Sequence, residues 1–368
     1  MEIQVLKENL QTAAQLVSRF TANKAQLPIL SHVGIEAGDD GIYFSGTNLD
    51  IGIRMRVGGK IIKKGKMAVP AKLFAELVSS LGMGAVSIKS EDDMQLKVVT
   101  KKVKANIQGM SMNDFPELVS NEIGKLGLYK LEDLDRVYKR VGFCVSQDDT
   151  RPVLMGALWD FSKGRLVATD GYRLSLMDLK FLKGEGESLL MSGLFLREAI
   201  GVLTDISVAE VNLFFNKDKK QVSFVSEDVV VIGRIIEGNY PQYQSILPKS
   251  QDIKFEVDRR DFISTVKAAA IFARDNANIV KIDLNAGKLV VSANAPQVGE
   301  NLVEMDVDFL DAGEGQIAFN SKYLLQALGA MESERVLFSM SDSLRPGLIE
   351  EVGVNGFRHV VMPVRVKE

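Results

Sequence analysis

RLVATDGYRLSLM, residues 165–177, runs as a strand into a polar turn at Thr169-Asp170-Gly171 and out again as a second strand. IYFSGTNLDIGIRM (42–55) has the same form earlier in the chain, and KLVVSANAPQVGENLVEM (288–305) has it later. A strand-turn-strand unit that recurs three times marks an internal repeat, and other landmarks line up around it. An amphipathic helix precedes each unit, over 7–20, 131–145 and 258–273. Their apolar stripes are Leu10, Ala13, Val17 and Phe20; Leu134, Val137, Tyr138 and Val141; and Phe262, Val266, Ala269 and Ala270. A second helix follows each unit, opening at Pro70, Ser192 or Asn320, with a large apolar anchor three positions on at Leu73, Phe195 or Tyr323. Each unit closes on an aromatic residue or methionine before proline: Phe115-Pro116, Tyr240-Pro241 and Met362-Pro363. These landmarks return about 125 residues apart in the same order, which a mere alternation of helix and strand would not produce.

The fold class expected is therefore α+β, with three repeated domains, each of two helices packed on antiparallel sheets. The domains are expected at residues 1–121, 129–248 and 249–368. The connecting stretches, 119–129 and 248–254, are short and polar without being rich in Gly and Ser, which predicts domains that sit against each other.

Composition narrows the function classes. The 368 residues are 46% hydrophobic and 25% charged, ordinary globular usage, and no apolar run reaches the roughly 18 residues of a membrane helix. The N-terminus MEIQVLKENL is not a signal peptide, and the single Cys144 forms no intrachain disulfide, so a cytoplasmic protein is expected. A net charge of −3 leaves nucleic acid to be met by a selected face or not at all. Catalytic signatures are missing. His32 and His359 have no second ligand at metal spacing, and the glycine pairs at 82/84, 184/186 and 313/315 lack the third glycine of a dinucleotide loop. Cys144, among Val141, Phe143 and Val145, fits a buried thiol better than a nucleophile. The acid pairs Asp39-Asp40, Asp92-Asp93 and Asp148-Asp149 fit turns better than metal sites. No cofactor, metal or catalytic residue is expected. A three-domain scaffold that never encircles DNA, and a metal-dependent nuclease using the paired acids, stay open as rival readings.

Eight segments together make the chain similar to the bacterial DNA sliding clamp family, the β subunit of DNA polymerase III. They are LPIL (27–30), VPAKLF (69–74), NDFPEL (113–118), RPVLMGALWD (151–160), ATDGYRLS (168–175), NYPQYQSILP (239–248), FNSKYLL (319–325) and HVVMPVRV (359–366). The resemblance implies a non-catalytic head-to-tail homodimer closed into a ring, whose helices line a hole that double-stranded DNA passes through without sequence recognition. It also implies a clamp loader, and a pocket for short apolar peptides of the replicative polymerase and repair proteins. No membrane partner is implied.

Three sets of residues follow from that resemblance and from the helix faces. The peptide pocket would be built from Leu154, Thr169, Gly171, Tyr172, Arg173, Leu174, Pro241, Ser245, Ile246, Asn320, Tyr323, Val360, Met362, Pro363 and Arg365. Tyr172 and Ser245 stand where well-known members of the family carry His and Arg. DNA-facing positions implied by the family are Lys24, Gln147, Asp148 and Arg151. Helix faces add Lys7, Arg19, Lys72, Arg136, Lys139, Arg140, Arg197, Lys267 and Lys322, each of which also suits a solvated face, while Gly193 and Leu194 lack the family's basic residues. For ring closure, residues 100–108 alternate like an edge strand, so Ala105 and Ile107 would meet Ile271 and Phe272 of the other chain, and Lys102 and Lys104 would meet Glu300 and Glu304.

Overall fold

The computed structural model describes residues 1–23, 26–90, 94–118, 123–179, 188–248, 252–274, 276–285, 288–295, 299–311 and 313–365. Its helices are α1 (Lys7–Ser18), α2 (Ala71–Ser80), α3 (Leu131–Val141), α4 (Gly193–Asp205), α5 (Arg259–Ala273) and α6 (Ser321–Ala330). Each stripe expected from sequence is largely buried: Leu10, Ala13, Val17 and Phe20; Leu134, Val137 and Val141; Phe262, Val266 and Ala269. α1 and α3 end short of the expected limits. α3 passes into a 3-10 turn at Gly142–Cys144, where a Cβ on Gly142 would lie 2.4 Å from the Tyr138 ring.

The second helices start where expected. Asn320 caps α6 by accepting from the Lys322 N–H at 2.9 Å, and Pro70 takes the corresponding place before α2. Of the three expected anchors Phe195 is fully buried and Tyr323 packs half-buried on the core, while Leu73 needs correction: it is 51% exposed, and the position buried in all three helices is the next, at Phe74, Leu196 and Leu324. After a first helical residue pressed against the sheet (Ala71, Ser321), one turn of 3.6 residues returns to the inward face at the fourth position, not the third.

The strands sort into quartets. In each repeat the first strand and the last three form a terminal quartet, and the middle four form a central one. The first repeat has β1 (Glu2–Leu6), β7 (Ala85–Ser90), β8 (Gln95–Val99) and β9 (Lys104–Gln108) in its terminal quartet, with β5 (Gly59–Lys63) added beside β1. Its central quartet is β4 (Ile51–Val57), β3 (Ile42–Thr47), β2 (His32–Ala37) and β6 (Gly65–Pro70). The second repeat has β10 (Gly124–Lys130), β15 (Glu210–Asn216), β16 (Gln221–Val225) and β17 (Val229–Arg234), then β13 (Arg173–Asp178), β12 (Arg165–Thr169), β11 (Gly156–Asp160) and β14 (Leu189–Ser192). The third has β18 (Ile253–Asp258), β24 (Arg335–Met340), β25 (Gly347–Glu351) and β26 (Phe357–Val361), with β22 (Asp308–Asp311) beside β18. Its central quartet is β21 (Gly299–Asp306), β20 (Lys288–Ala295), β19 (Ile279–Asn285) and β23 (Gly315–Asn320). β10 opens at Gly124 and pairs with β15, so these residues fold with the second repeat.

Successive repeats are sewn together by backbone pairing. β4 pairs antiparallel with β17, which fuses two quartets into an eight-stranded sheet, and β13 pairs with β26 in the nine-stranded one. Ile53 lies opposite Val231 at the first seam, and Ser175 opposite His359 at the second. The chain accordingly resolves into two compact units, residues 1–134 with 194–235, and residues 135–193 with 236–368. Among the described residues, two strands at corresponding positions have no such partner: β9 and β21 each end their sheets. In the second unit the core is centred on Phe338, with Phe255 stacked at 5.1 Å and Phe319 edge-on at 5.9 Å.

Candidate peptide groove, basic surface and unpaired edges

The turn between β12 and β13 is set by its own side chains. Thr169 Oγ1 donates to the Arg173 carbonyl at 2.6 Å and accepts from the Gly171 N–H, while Asp170 Oδ1 accepts from the N–H groups of Tyr172 and Arg173. Gly171 takes a φ of +92°, which a side chain would strain. The turn presents Tyr172, 55% exposed, with its ring stacked on Tyr323 at 6.3 Å. Burial pushes the Tyr323 phenol above its ordinary pKa. Arg173 is buried beneath. It pairs with Asp170 at 2.9 Å, donates to the Phe143 carbonyl, hydrogen-bonds Gln326 and lies 4.5 Å from the Tyr323 ring centre. It therefore holds the tyrosine platform in place and has little left to offer a ligand.

The tail runs beside this platform. The Met362 N–H donates to the Tyr172 carbonyl at 2.9 Å and the Val364 N–H to Ala318 at 2.8 Å. Met362 and Pro363 are half-buried and Arg365 is exposed. Leu174 and Val360 lie underneath in one apolar cluster with Val167, Leu176, Tyr243 and Leu348, against which Ile246 packs. The expected pocket residues thus divide. Leu154, Thr169, Arg173, Leu174 and Val360 are buried support, and Gly171, Tyr172, Pro241 and Ser245 are exposed. Ile246, Asn320, Tyr323, Met362 and Pro363 lie between, with Asn320 also serving as the α6 cap.

The expected DNA-facing cations also divide. Lys72, Lys267 and Lys322 are exposed and engaged in no ion pair among the described residues, and Lys72 and Lys322 occupy the same place at the start of α2 and α6. Lys7 is half-buried and hydrogen-bonds Gln11. Arg136 is exposed, Lys139 is exposed and pairs with Asp135 at 2.6 Å, and Arg197 pairs with Glu198 at 3.1 Å. Arg19 is tied to Glu198 and Asp205 at 2.8 and 2.9 Å. Gln147, Asp148 and Arg151 form an exposed turn in which hydrogen bonds from Thr150 hold the Asp148 carboxyl below its ordinary pKa. Lys24 lies outside the described residues. Arg140 requires correction: only 2% exposed, it pairs with Glu351 at 2.7 Å and Glu332 at 3.1 Å, so it braces the interior and does not face DNA. Its position in the helix stripe looked solvated because the acids that cover it arrive from far along the chain.

At the free edges, β9 is shorter than expected. Thr100 closes a turn by accepting from Lys102 and Val103, and the strand begins at Lys104. Ala105 is half-buried, but Ile107 is 3% exposed and belongs to its own domain's core, which corrects its expected place as an open contact. Ile271 is 58% exposed and Leu302, on β21, 62%, while Phe272 is half-buried. Glu300 and Glu304 are exposed on β21, and Glu304 meets Lys288 at 3.1 Å.

Among the described residues one thiol, hydroxyl and imidazole come together in the interior. They are Cys144, Ser175 and His359, with Ser175 Oγ 2.7 Å from His359 Nδ1, and all three are buried. Burial pushes the thiol up to about 12 and, with Arg173 nearby, the imidazole down to about 3, so both stay neutral at pH 7. No cluster of three metal-ligating side chains exists among the described residues, and no helix there is long and apolar enough to cross a membrane. Asp92 and Asp93 lie outside them. Sequence reasoning missed a cavity of about 230 Å³ beside the first seam, lined by the turn 47–52, residues 116–118 and part of β16 and β17. Its only sequence signal is that Thr47 and Pro116 sit where the later repeat has Thr169 and Pro241.

Three family models match consecutive parts of the chain. Those described as the N-terminal, central and C-terminal domains of the DNA polymerase III beta subunit match residues 1–119, 130–242 and 244–365. The beta sliding clamp of Bacillus subtilis is 27% identical over 379 residues, covering 99% of this chain and 100% of the relative. The crystal structure of the Thermotoga maritima DNA polymerase III beta subunit superposes with a TM-score of 0.93 at 25% identity, and each chain is covered in full. The Pseudomonas aeruginosa sliding clamp bound to griselimycin gives 0.92 at 26% identity, again over the whole of both chains.

Proposed function

The chain belongs to the DNA polymerase III β-subunit family, the sliding clamps, and from that premise we propose that two copies close head to tail around duplex DNA. The observation that carries this reading is the pair of unpartnered seam strands. β4–β17 and β13–β26 join successive repeats, and β21 and β9 are the third and first copies of the same two strands. An unpaired edge is a template for its missing neighbour, and a second chain supplies it.

Carrying the seam register onto these edges puts Ala105 opposite Asn301, Lys104 opposite Leu302 and Lys102 opposite Glu304. The inward faces agree. Ile53, Val231, Ser175 and His359 hold the equivalent places and are buried, and Asn301 has a buried Oδ1 without a hydrogen-bond partner. Arg56 and Asp228, the first-seam counterparts of Glu304 and Lys102, already approach to 3.8 Å with the charges exchanged. Ile271 and Phe272 supply apolar contact beside the strands. Exposed ion pairs add only about 0–1 kcal/mol each, so backbone pairing and apolar burial set the strength and the charges set the register.

The repeats act as domains over 1–121, 129–248 and 249–368, with the 124–128 part of β10 joining the second. The ring is non-catalytic, works in the cytoplasm, and tethers the replicative polymerase and repair proteins through the Tyr172–Tyr323–Met362 groove after a clamp loader has placed it. The exposed Lys72, Lys267 and Lys322, together with Arg136, Lys139 and Arg197, meet phosphate weakly and interchangeably, which permits sliding. The test is topological. The protein loaded onto nicked circular DNA should survive moderate salt and be lost when the circle is cut. Tight, salt-resistant binding to a short linear duplex, or a solution mass of one 40.5 kDa chain at all concentrations, would refute encirclement.

A further inference from the structure

Inside the chain, the first helix of one repeat meets the second helix of the next through an arginine. Arg19, the thirteenth residue from the start of α1, pairs with Glu198 and Asp205, the sixth and thirteenth of α4, at 2.8 and 2.9 Å. The fit is close, since a Cβ on Gly201 would lie 2.9 Å from the Arg19 guanidinium. At the second junction the thirteenth residue is Phe143. Arg173 lies 5.2 Å from its ring centre and hydrogen-bonds Gln326, the sixth residue of α6. The corresponding places on the two unpartnered helix faces carry a different pair. Ile271 is thirteenth in α5, and Met83 is thirteenth from the start of α2, where Glu76 keeps the acid of the sixth place. Both are exposed, Met83 to 75%, and a Cβ on Gly82 or Gly84 beside it would meet nothing within 4 Å. The Arg19 cation is thus replaced on one face and the Asp205 acid on the other. The long flexible member also changes sides, from arginine on the first helix to methionine on the second, so the combined reach is kept.

We propose that Ile271 of one chain packs on Met83 of a second copy, so that the junction between chains is closed by an apolar helix contact where the first internal junction uses an ion pair. The inference rests on the head-to-tail closure proposed above and adds the helix contact that accompanies the pairing of β9 with β21. Either substitution alone would strand a charge against an apolar group, whereas the two together are matched. The exchange also sets the response to salt. Screening weakens an exposed pair such as Arg19–Asp205 but leaves an apolar contact intact, so the helix contact between chains holds as ionic strength rises.

The test is a charge exchange in the full chain, read by sedimentation equilibrium. Met83→Asp should raise the dimer dissociation constant about a hundredfold, because a carboxylate is set against Ile271 without a cation. Adding Ile271→Arg rebuilds the Arg19–Asp205 arrangement and should recover about tenfold or more of that loss. The double variant should then weaken more steeply with salt than the wild type. Both side chains are exposed in the single chain, and unchanged helix content serves as the control for folding. Strand closure is read separately by oxidative cross-linking of Ala105→Cys with Asn301→Cys. A cross-link that forms while Met83→Asp associates like the wild type overturns the helix contact and leaves the ring standing. A double variant no tighter than Met83→Asp alone overturns it equally. Absence of the cross-link together with wild-type association of Met83→Asp overturns both readings.

Discussion

Arg140 and Glu351 form an ion pair whose side chains are 3% and 0% exposed, and the carboxylate also accepts from the N–H groups of Glu332 and Ser333 at 2.8 and 2.9 Å. Burial alone would raise the Glu351 pKa, but these donors outweigh it and hold the group below its ordinary 4.5. A depressed folded-state pKa contributes stability that is complete above the unfolded value and lost as pH falls through the folded one. Tm should therefore drop on acidification below about pH 4.5, and Arg140→Ala should flatten that limb. At neutral pH the same variant should cost about 3–5 kcal/mol by denaturant unfolding, since it strands a buried carboxylate. Arg140→Met with Glu351→Leu should recover only part of this loss, because the Glu332 and Ser333 N–H groups then lose their acceptor. A variant with wild-type stability and weakened DNA retention would return Arg140 to the DNA-facing set.

The elements were largely legible in the sequence because periodicity and caps are local: Asn320, Pro70 and the stripe from Leu10 to Phe20 announce themselves within one or two turns. What was hidden depends on distant partners. The acids around Arg140, the inward turn of Ile107 and the choice of Phe74 over Leu73 are all decided by segments that pack from elsewhere. The groove was half legible. Tyr172, Tyr323 and Met362 stand together as expected, but Arg173, Leu174 and Val360 prove to be support beneath them. At this scale the register of the free edges is open to direct test. Residues directly opposite in an antiparallel pair have Cα atoms roughly 4.5–5.5 Å apart, within disulfide reach. Ala105→Cys with Asn301→Cys should thus yield an interchain cross-link under mild oxidation, and Ala105→Cys with Leu302→Cys should not. Buried Cys144 will not interfere.

For the whole molecule, tethering and recruitment should separate. Met362 and Val364 are bonded to Tyr172 and Ala318, so this part of the tail lies beside the tyrosine platform and pairs with neither β9 nor β21. Deleting Met362 to Glu368 should leave a dimer that still encircles DNA but no longer binds polymerase-derived peptides. Met362→Ala should weaken such peptides by about 1–2 kcal/mol on titration. Conversely, Ile271→Ala with Phe272→Ala should sediment as a folded monomer with its peptide affinity intact. A dimer persisting at low concentration would place the contact elsewhere.

The unpaired strands β9 and β21 have a kinetic corollary. In the proposed ring, seams inside a chain form between covalently linked partners, whereas the two seams between chains are each made by collision. Once one interchain seam holds, the ends of the other are confined at an effective molarity of order millimolar, and their reunion is a first-order event. The residence time on a circle is then set by how often a single junction gapes wide enough for a duplex to escape, not by the dilution at which two chains part. Substitutions at Ala105 or Asn301 should accordingly shorten the dwell on DNA well before sedimentation registers any monomer.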